Sequence, residues 1–286
     1  MKLFIYLIIF IFLALNTNAK DLSANYSLIA SSAVTDLVLK DEKLYASTTA
    51  SSVDIFNIRS REKIESIKLP KIKDFIGDDI DSKVYSIDVL EEKILILFQG
   101  EKGGRNISIY KNGNFDSIIE DKDKLFIARA KFIDENHIIY ALLSNQIYLY
   151  DLKNKKVLKE IQISQSKFSN FVLTQDKSKI IVCDESGILT MIDSKSFEII
   201  KTFENQNLDN VFQVDTKNGI IITAGQDRRS AIFYMNSKNA YYKEFSFIIY
   251  SAGLSPSGNL AGVASDEDNN VTIFNTKTKE DLYKLT

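Results

Sequence analysis

The sequence predicts an all-β chain folded as a β-propeller of four-stranded blades, and three observations predict it. One unit recurs six times between Val34 and the C-terminus: two short apolar runs, a tight turn, and an aromatic or aliphatic pair closed by a polar residue. Its second run reads Val53-Asp-Ile-Phe-Asn57, Asn106-Ile-Ser-Ile-Tyr110, Ile147-Tyr-Leu-Tyr-Asp151, Leu189-Thr-Met-Ile-Asp193, Ser230-Ala-Ile-Phe-Tyr234 and Val271-Thr-Ile-Phe-Asn275. The preceding runs align at Tyr45, Leu95, Tyr140, Ile181, Ile221 and Ala261, and so recur about every 40–50 residues, close to the period of a propeller blade. They are also nearly continuous in apolar residues, as in Ile94-Leu-Ile-Leu-Phe98 and Ile138-Ile-Tyr-Ala-Leu-Leu143. A strand buried on both faces has this composition, whereas a sandwich strand with one wet face alternates.

Each element has its own justification. Lys2, the apolar run Leu3–Leu15 and the small residues before Lys20 read as a secretory signal peptide cleaved between Ala19 and Lys20. Residues 1–19 are then the leader and 20–286 the propeller, and the expected compartment is the periplasm. The run is too short for a span of ~20 residues, although retention as an anchor is the alternative. Pro70–Lys83 lengthens the first interval and reads as an irregular loop. In the fifth unit Val211–Asp215, Ile220–Ala224, Ser230–Tyr234 and Tyr241–Phe245 are the four strands, with Thr216-Lys-Asn-Gly219 as the first turn. The sixth repeats the plan from Ala252 to Leu285. Six blades are visible. Tyr26-Ser-Leu-Ile29 is a candidate extra strand, either closing the ring against the last blade or belonging to a worn seventh one.

The segments Thr223-Ala-Gly-Gln-Asp-Arg-Arg-Ser-Ala-Ile-Phe233 and Leu254-Ser-Pro-Ser-Gly-Asn259 resemble WD40 repeats. The first carries a Gly-x-Asp turn and the second a Ser-Pro-x-Gly turn. The resemblance is degenerate: no unit ends in Trp-Asp, because the chain has no Trp, and the Gly-His pair is missing. The exported, Lys/Ile/Asn-rich character also resembles accessory WD-repeat proteins encoded with the periplasmic nitrate reductase of epsilonproteobacteria. That resemblance implies assistance to the maturation of, or electron delivery to, that enzyme.

Composition excludes most chemistries. The net charge is −2, so there is no basic footprint for nucleic acid. One His, one Cys and three Met cannot build an imidazole-based triad or a zinc, haem or copper centre, and no cofactor is expected. His137 reads as an exposed turn residue. Cys183 reads as a small core hydrophobe, with nothing basic beside it to activate a thiol. Gly100-Glu-Lys-Gly-Gly-Arg105 joins two strands and opens no helix, so it is a hairpin tip and no phosphate cradle. Asp266–Asn270 lacks the ligand spacing of a calcium loop. Within Asp268-Asn-Asn-Val-Thr272, Asn270 is a candidate glycosylation acceptor; Asn25 and Asn106 begin shorter patterns.

Asp227, Arg228 and Arg229, on a turn at one rim, are the candidate partner-binding residues, since arginine is enriched at binding hot spots. The expected function is a non-catalytic protein-binding scaffold, an accessory factor for a periplasmic oxidoreductase such as nitrate reductase. An envelope-assembly scaffold, or a propeller lactonase or related hydrolase with a carboxylate-bound metal, is the alternative.

Overall fold

The computed structural model describes residues 19–286. The predicted leader lies outside them except for Ala19, which stands directly before the first strand, β1 (Lys20–Leu22). Blade 1 holds β2 (Val34–Lys40), β3 (Lys43–Thr48), β4 (Ser52–Asn57) and β5 (Glu62–Lys68). A small hairpin follows, β6 (Ile72–Lys73) and β7 (Asp79–Ile80). Blade 2 holds β8 (Val84–Leu90), β9 (Lys93–Gln99), β10 (Arg105–Lys111) and β11 (Asn114–Ile119). Blade 3 holds β12 (Ile127–Phe132), β13 (His137–Leu142), β14 (Gln146–Asp151) and β15 (Lys156–Gln162). Blade 4 holds β16 (Phe168–Leu173), β17 (Lys179–Asp184), β18 (Leu189–Asp193) and β19 (Ile199–Phe203). Blade 5 holds β20 (Val211–Lys217), β21 (Ile220–Gly225), β22 (Arg229–Tyr234) and β23 (Ala240–Glu244). Blade 6 holds β24 (Ala252–Leu254), β25 (Leu260–Ala264), β26 (Val271–Asn275) and β27 (Asp281–Leu285).

Each blade is an antiparallel meander in chain order, and the six form a β-propeller. The first strands are innermost and pack on one another from β2 through β8, β12, β16 and β20 to β24. Local sequence sets the hairpins. Asn112-Gly113 and Asn218-Gly219 both take positive φ (50° and 82°, 49° and 75°), the conformation that a two-residue hairpin turn requires. Two expectations are corrected. Pro70–Lys83 is no irregular loop throughout, because β6 and β7 pair within it. The added strand is Lys20–Leu22, in parallel register with Tyr283–Leu285 on the outer edge of blade 6. Tyr26–Ile29 forms no strand, and the sequence carries no seventh blade among the described residues. Its neighbours are held instead by side chains, with Ser31 bound to Asp54 and Ser32 to Thr49.

The middle strands are buried on both faces, as their composition predicts: β9, β13, β17 and β21 are buried almost end to end. Their alternate residues feed two cores. Leu95 and Leu97 pack towards blade 3, while Ile94 and Ile96 pack towards blade 1. Five such cores join blades 1–2, 2–3, 3–4, 4–5 and 5–6. Among the described residues no sixth core joins blade 6 to blade 1. In β25 burial alternates, which marks a sheet covered on one face only.

Candidate binding rim

Antiparallel order places two kinds of connection at each rim. One rim, here the crossover rim, carries the passages between blades and the turns between second and third strands. The other carries the remaining hairpins. The exposed apolar side chains divide unequally between them. Phe75, Ile76, Phe126, Ile188, Leu208 and Tyr250 are all exposed on crossover-rim connections. Among the described residues, no turn of the hairpin rim exposes a large apolar side chain.

Local hydrogen bonding explains why these residues stand out. Asp74 accepts the amides of Ile76, Gly77 and Asp78 at 2.9, 2.8 and 2.9 Å, so the tip between β6 and β7 is fixed with Phe75 and Ile76 outward. The amides of Asp78, Ile76 and Gly77 also hold its carboxyl below the ordinary range. Asp121 ties the next two connections together. It accepts the Glu101 amide at 2.7 Å and donates its own amide to Asn106 at 2.8 Å. Lys124 then takes a left-handed conformation, φ 56°, and delivers Phe126 to the surface while Leu125 packs against the core between blades 2 and 3.

Phe126 stands as a ridge between two clefts. One, about 420 Å³, is lined by Glu101, Lys102, Gly104, Asp121, Lys122, Lys124 and Leu125. The other, about 520 Å³, is lined by Leu142, Leu143, Ser144, Gln165, Ser166 and Lys167 together with the same Lys124 and Leu125. Lys122 pairs with Glu120, and Lys167 with Glu185 at 3.3 Å. Lys102 and Lys124 have no carboxylate within ion-pair distance among the described residues. The arrangement is an apolar ridge whose flanks hold both lysines and carboxylates, Lys102, Lys122 and Lys124 beside Glu101 and Asp121.

The sequence-predicted residues fall at separate places. Asp227, Arg228 and Arg229 do lie on the crossover rim. Asp227 accepts the Leu208 amide at 2.7 Å and the Arg229 amide at 3.1 Å. Arg229 lies over the Tyr242 ring at 4.1 Å and donates to the Gln206 carbonyl at 3.2 Å. Both therefore brace the neighbouring passage, and Arg228, 3.4 Å from Glu244, faces solvent. Asn270 is half-buried and donates its side-chain amide to Asp266 at 3.0 Å. His137 opens β13, with Nδ1 2.9 Å from Asp134 on the hairpin rim. Cys183 is buried, and burial raises its thiol pKa far above the ordinary value. Gly100–Arg105 is a tight turn whose Arg105 lies 3.5 Å over the Tyr85 ring.

Inner-strand carboxylates are also engaged. Asp36 accepts the Ile87 amide at 3.1 Å, and Asp88 accepts the Phe132 amide at 2.8 Å, each reaching across to the next blade. Among the described residues no three His, Cys, Asp or Glu side chains converge on a point where an ion could sit. No helix among these residues is long and apolar enough to cross a membrane. No family model matches this sequence, and no curated protein matches it significantly.

Proposed function

We propose that the protein is an exported, non-catalytic binding platform that docks a protein partner on its crossover rim. The observation that carries this reading is the one-sided placement of exposed apolar loop residues, centred on Phe126. Exposed aromatic side chains are enriched at the centres of protein interfaces, and Phe126 lines two adjoining clefts of this rim. The WD40-like character and the predicted leader support a periplasmic accessory role, with components of a periplasmic oxidoreductase such as nitrate reductase as the partner.

The test is direct binding. The purified protein, immobilised, is exposed to purified periplasmic nitrate reductase components, in parallel with a Phe75→Asp/Phe126→Asp variant and a Lys153→Asp variant of the hairpin rim. Saturable binding that weakens at least tenfold only in the Phe75/Phe126 variant is expected. Equal binding by both variants removes the rim from the reading, and no binding by the native protein removes the oxidoreductase.

A further inference from the structure

We propose that the inner strands of blades 3 and 4 form a binding site for a monocarboxylate in the central channel, with Arg129 and Asn170 as its principal contacts. The proposal is independent of the rim reading, since it concerns the inside of the ring and assumes nothing about the rim's partner.

The repeat defines what an inner strand is normally given. Each first strand pairs with its second strand on one edge only, so alternate amides on the other edge turn towards the channel. The preceding blade supplies acceptors for them. Asp36 accepts the Ile87 amide at 3.1 Å and Ser86 the Ala130 amide at 3.4 Å. Asp88 accepts the Phe132 amide at 2.8 Å and Asp215 the Leu254 amide at 2.9 Å. A register shift stands just before Asp36, Ser86, Arg129, Asn170 and Gln213, and so marks them as equivalent positions. Blade 3 breaks the rule. Arg129 stands where Asp36 and Ser86 stand, and an arginine carries only donors. The amide it faces, that of Phe171, is the counterpart of those of Ile87 and Ala130. It turns towards the channel, because Thr174, three residues on, is bonded to Lys179 within the hairpin. Among the described residues no side chain accepts from it, so donors meet donors.

The side chains at this place are unpartnered. The Arg129 Nε is buried and bonds to nothing. Its Nη2 lies 3.5 Å from Asp36 of blade 1, beyond the ~2.7–2.9 Å of a charge-assisted hydrogen bond. Asp36 is already engaged, accepting the Leu37 amide as well as that of Ile87, each at 3.1 Å. Asn170 is 9% exposed, and its Oδ1 is buried without a partner. Burial raises the thiol of Cys183, the cross-strand partner of Asn170, and the charge of Arg129 opposes that rise, which places the guanidinium near this end of blade 4. Of the successive inner strands from β2 to β24, β12 and β16 approach one another least. The remaining charges of the channel are paired among themselves. Lys131 donates to the Ile87 carbonyl at 2.9 Å and faces Asp88 at 3.5 Å, and Lys217 lies 3.1 Å from Asp215.

These groups select the ligand. The planar fork of a guanidinium matches the two oxygens of a carboxylate, and the Phe171 amide adds a neutral donor beside it. Asp36 and Asp88 stand close enough to disfavour a dianion such as phosphate, which leaves a single negative charge. The Asn170 side chain offers an acceptor, Oδ1, together with a donor, Nδ2. A carboxylate with an O–H or N–H beside it satisfies both walls at once. That chemistry belongs to a free α-hydroxy acid and equally to the last peptide unit of a partner's C-terminus.

The experiment is isothermal titration calorimetry of the purified protein with sodium glycolate, with N-acetylglycine and, for comparison, with sodium phosphate. Saturable binding of one carboxylate per chain is expected. Arg129→Gln and Asn170→Leu should each weaken it by about tenfold. Asp36→Asn keeps an acceptor for the Ile87 amide but removes the charge that competes for Arg129, and should tighten binding by about threefold. A merely structural Arg129–Asp36 contact predicts no such gain. Should Arg129→Gln fail to fold, Asn170→Leu and Asp36→Asn still decide the matter. Tighter binding of N-acetylglycine supports the site with a partner's C-terminus as the source, and tighter binding of glycolate supports it with a free hydroxy acid. No saturable binding by the native protein, binding that survives Asn170→Leu, phosphate bound as tightly as either carboxylate, or an unchanged affinity in Asp36→Asn each overturns the proposal. The rim reading is tested separately at Phe126, so the two fail independently.

Discussion

Ser31 donates twice to Asp54, through its amide at 2.5 Å and its hydroxyl at 3.0 Å. Ser66 at 2.6 Å and Lys63 at 3.0 Å complete the set around a carboxylate with no exposed surface. Because β1 lies on blade 6 and Ser31 on blade 1, this carboxylate, together with Thr49, holds the segment that runs from one to the other.

Asp54→Asn should therefore loosen that segment as well as destabilise the fold. Burial raises the Asp54 carboxyl, but Ser66, the Ser31 amide and Lys63 overcome it and hold it at about 2, against an ordinary 3.8. The shift corresponds to roughly 2 kcal/mol. A depressed carboxyl stabilises the fold fully above its unfolded value and ceases to do so as pH falls through its folded one. Urea unfolding at pH 6, 4 and 2.5 should show the native protein losing its advantage over the Asn variant mainly below pH 4. Limited proteolysis at neutral pH should cut the variant first between residues 23 and 33.

Two glycines on second strands should respond oppositely to alanine. At Gly262 the added methyl meets only Val271 at 3.5 Å, and the strand gains roughly 0.5–1 kcal/mol from reduced backbone freedom. At Gly225 the same methyl falls 2.8 Å from the Arg229 carbonyl, and the change should cost about 1–3 kcal/mol. Thermal denaturation of the pair reads the difference directly.

Cys183 should be silent while the protein is folded. Its Sγ donates to the Asn170 carbonyl at 3.4 Å within the blade 4–5 core. Because only the thiolate reacts, burial suppresses both access and ionisation. Ellman's reagent at pH 8 should titrate no thiol in native protein and one in guanidinium, with the native rate set by unfolding.

Removing Lys20–Leu22 should uncover the outer edge of β27. The truncation loses the parallel register and the Thr286 amide bond to the Leu22 carbonyl at 3.1 Å. An unpaired edge is a template for other chains, so light scattering should report more self-association in the truncated protein than in the intact one.

The blades were legible because their physics is local and repeated. Runs such as Ile94–Phe98 and Ile220–Ile222 need two apolar surroundings, and in an all-β chain stacked sheets provide them. Lys20-Asp-Leu22 carries no such pattern; its pairing with β27 is tertiary, made by residues at the far end of the chain. Tyr26–Ile29 looks like a strand by composition, yet the segment's anchoring falls to side chains. At the rim, the charged triplet Asp227–Arg229 was the visible signal, but two of its members are consumed in bracing a loop. Phe75 and Phe126 were hidden because an aromatic residue in a turn looks like any strand residue. The signal that could have exposed them is position, an apolar residue outside every run. Leu260-Ala-Gly-Val-Ala264 likewise differs from the other second strands in its small alternate residues, the trace of an uncovered face.

The pairing of Lys20–Leu22 with Tyr283–Leu285 also governs when the molecule can finish folding. The strands within each blade are sequential neighbours, whereas this pairing joins the first and last described strands. The last sheet gains its fifth strand only when Lys20–Leu22 and Tyr283–Leu285 are both in place, so a chain lacking either segment leaves that edge unpaired. The pairing thus couples the first and last described strands, the contact with the longest loop to close in this fold.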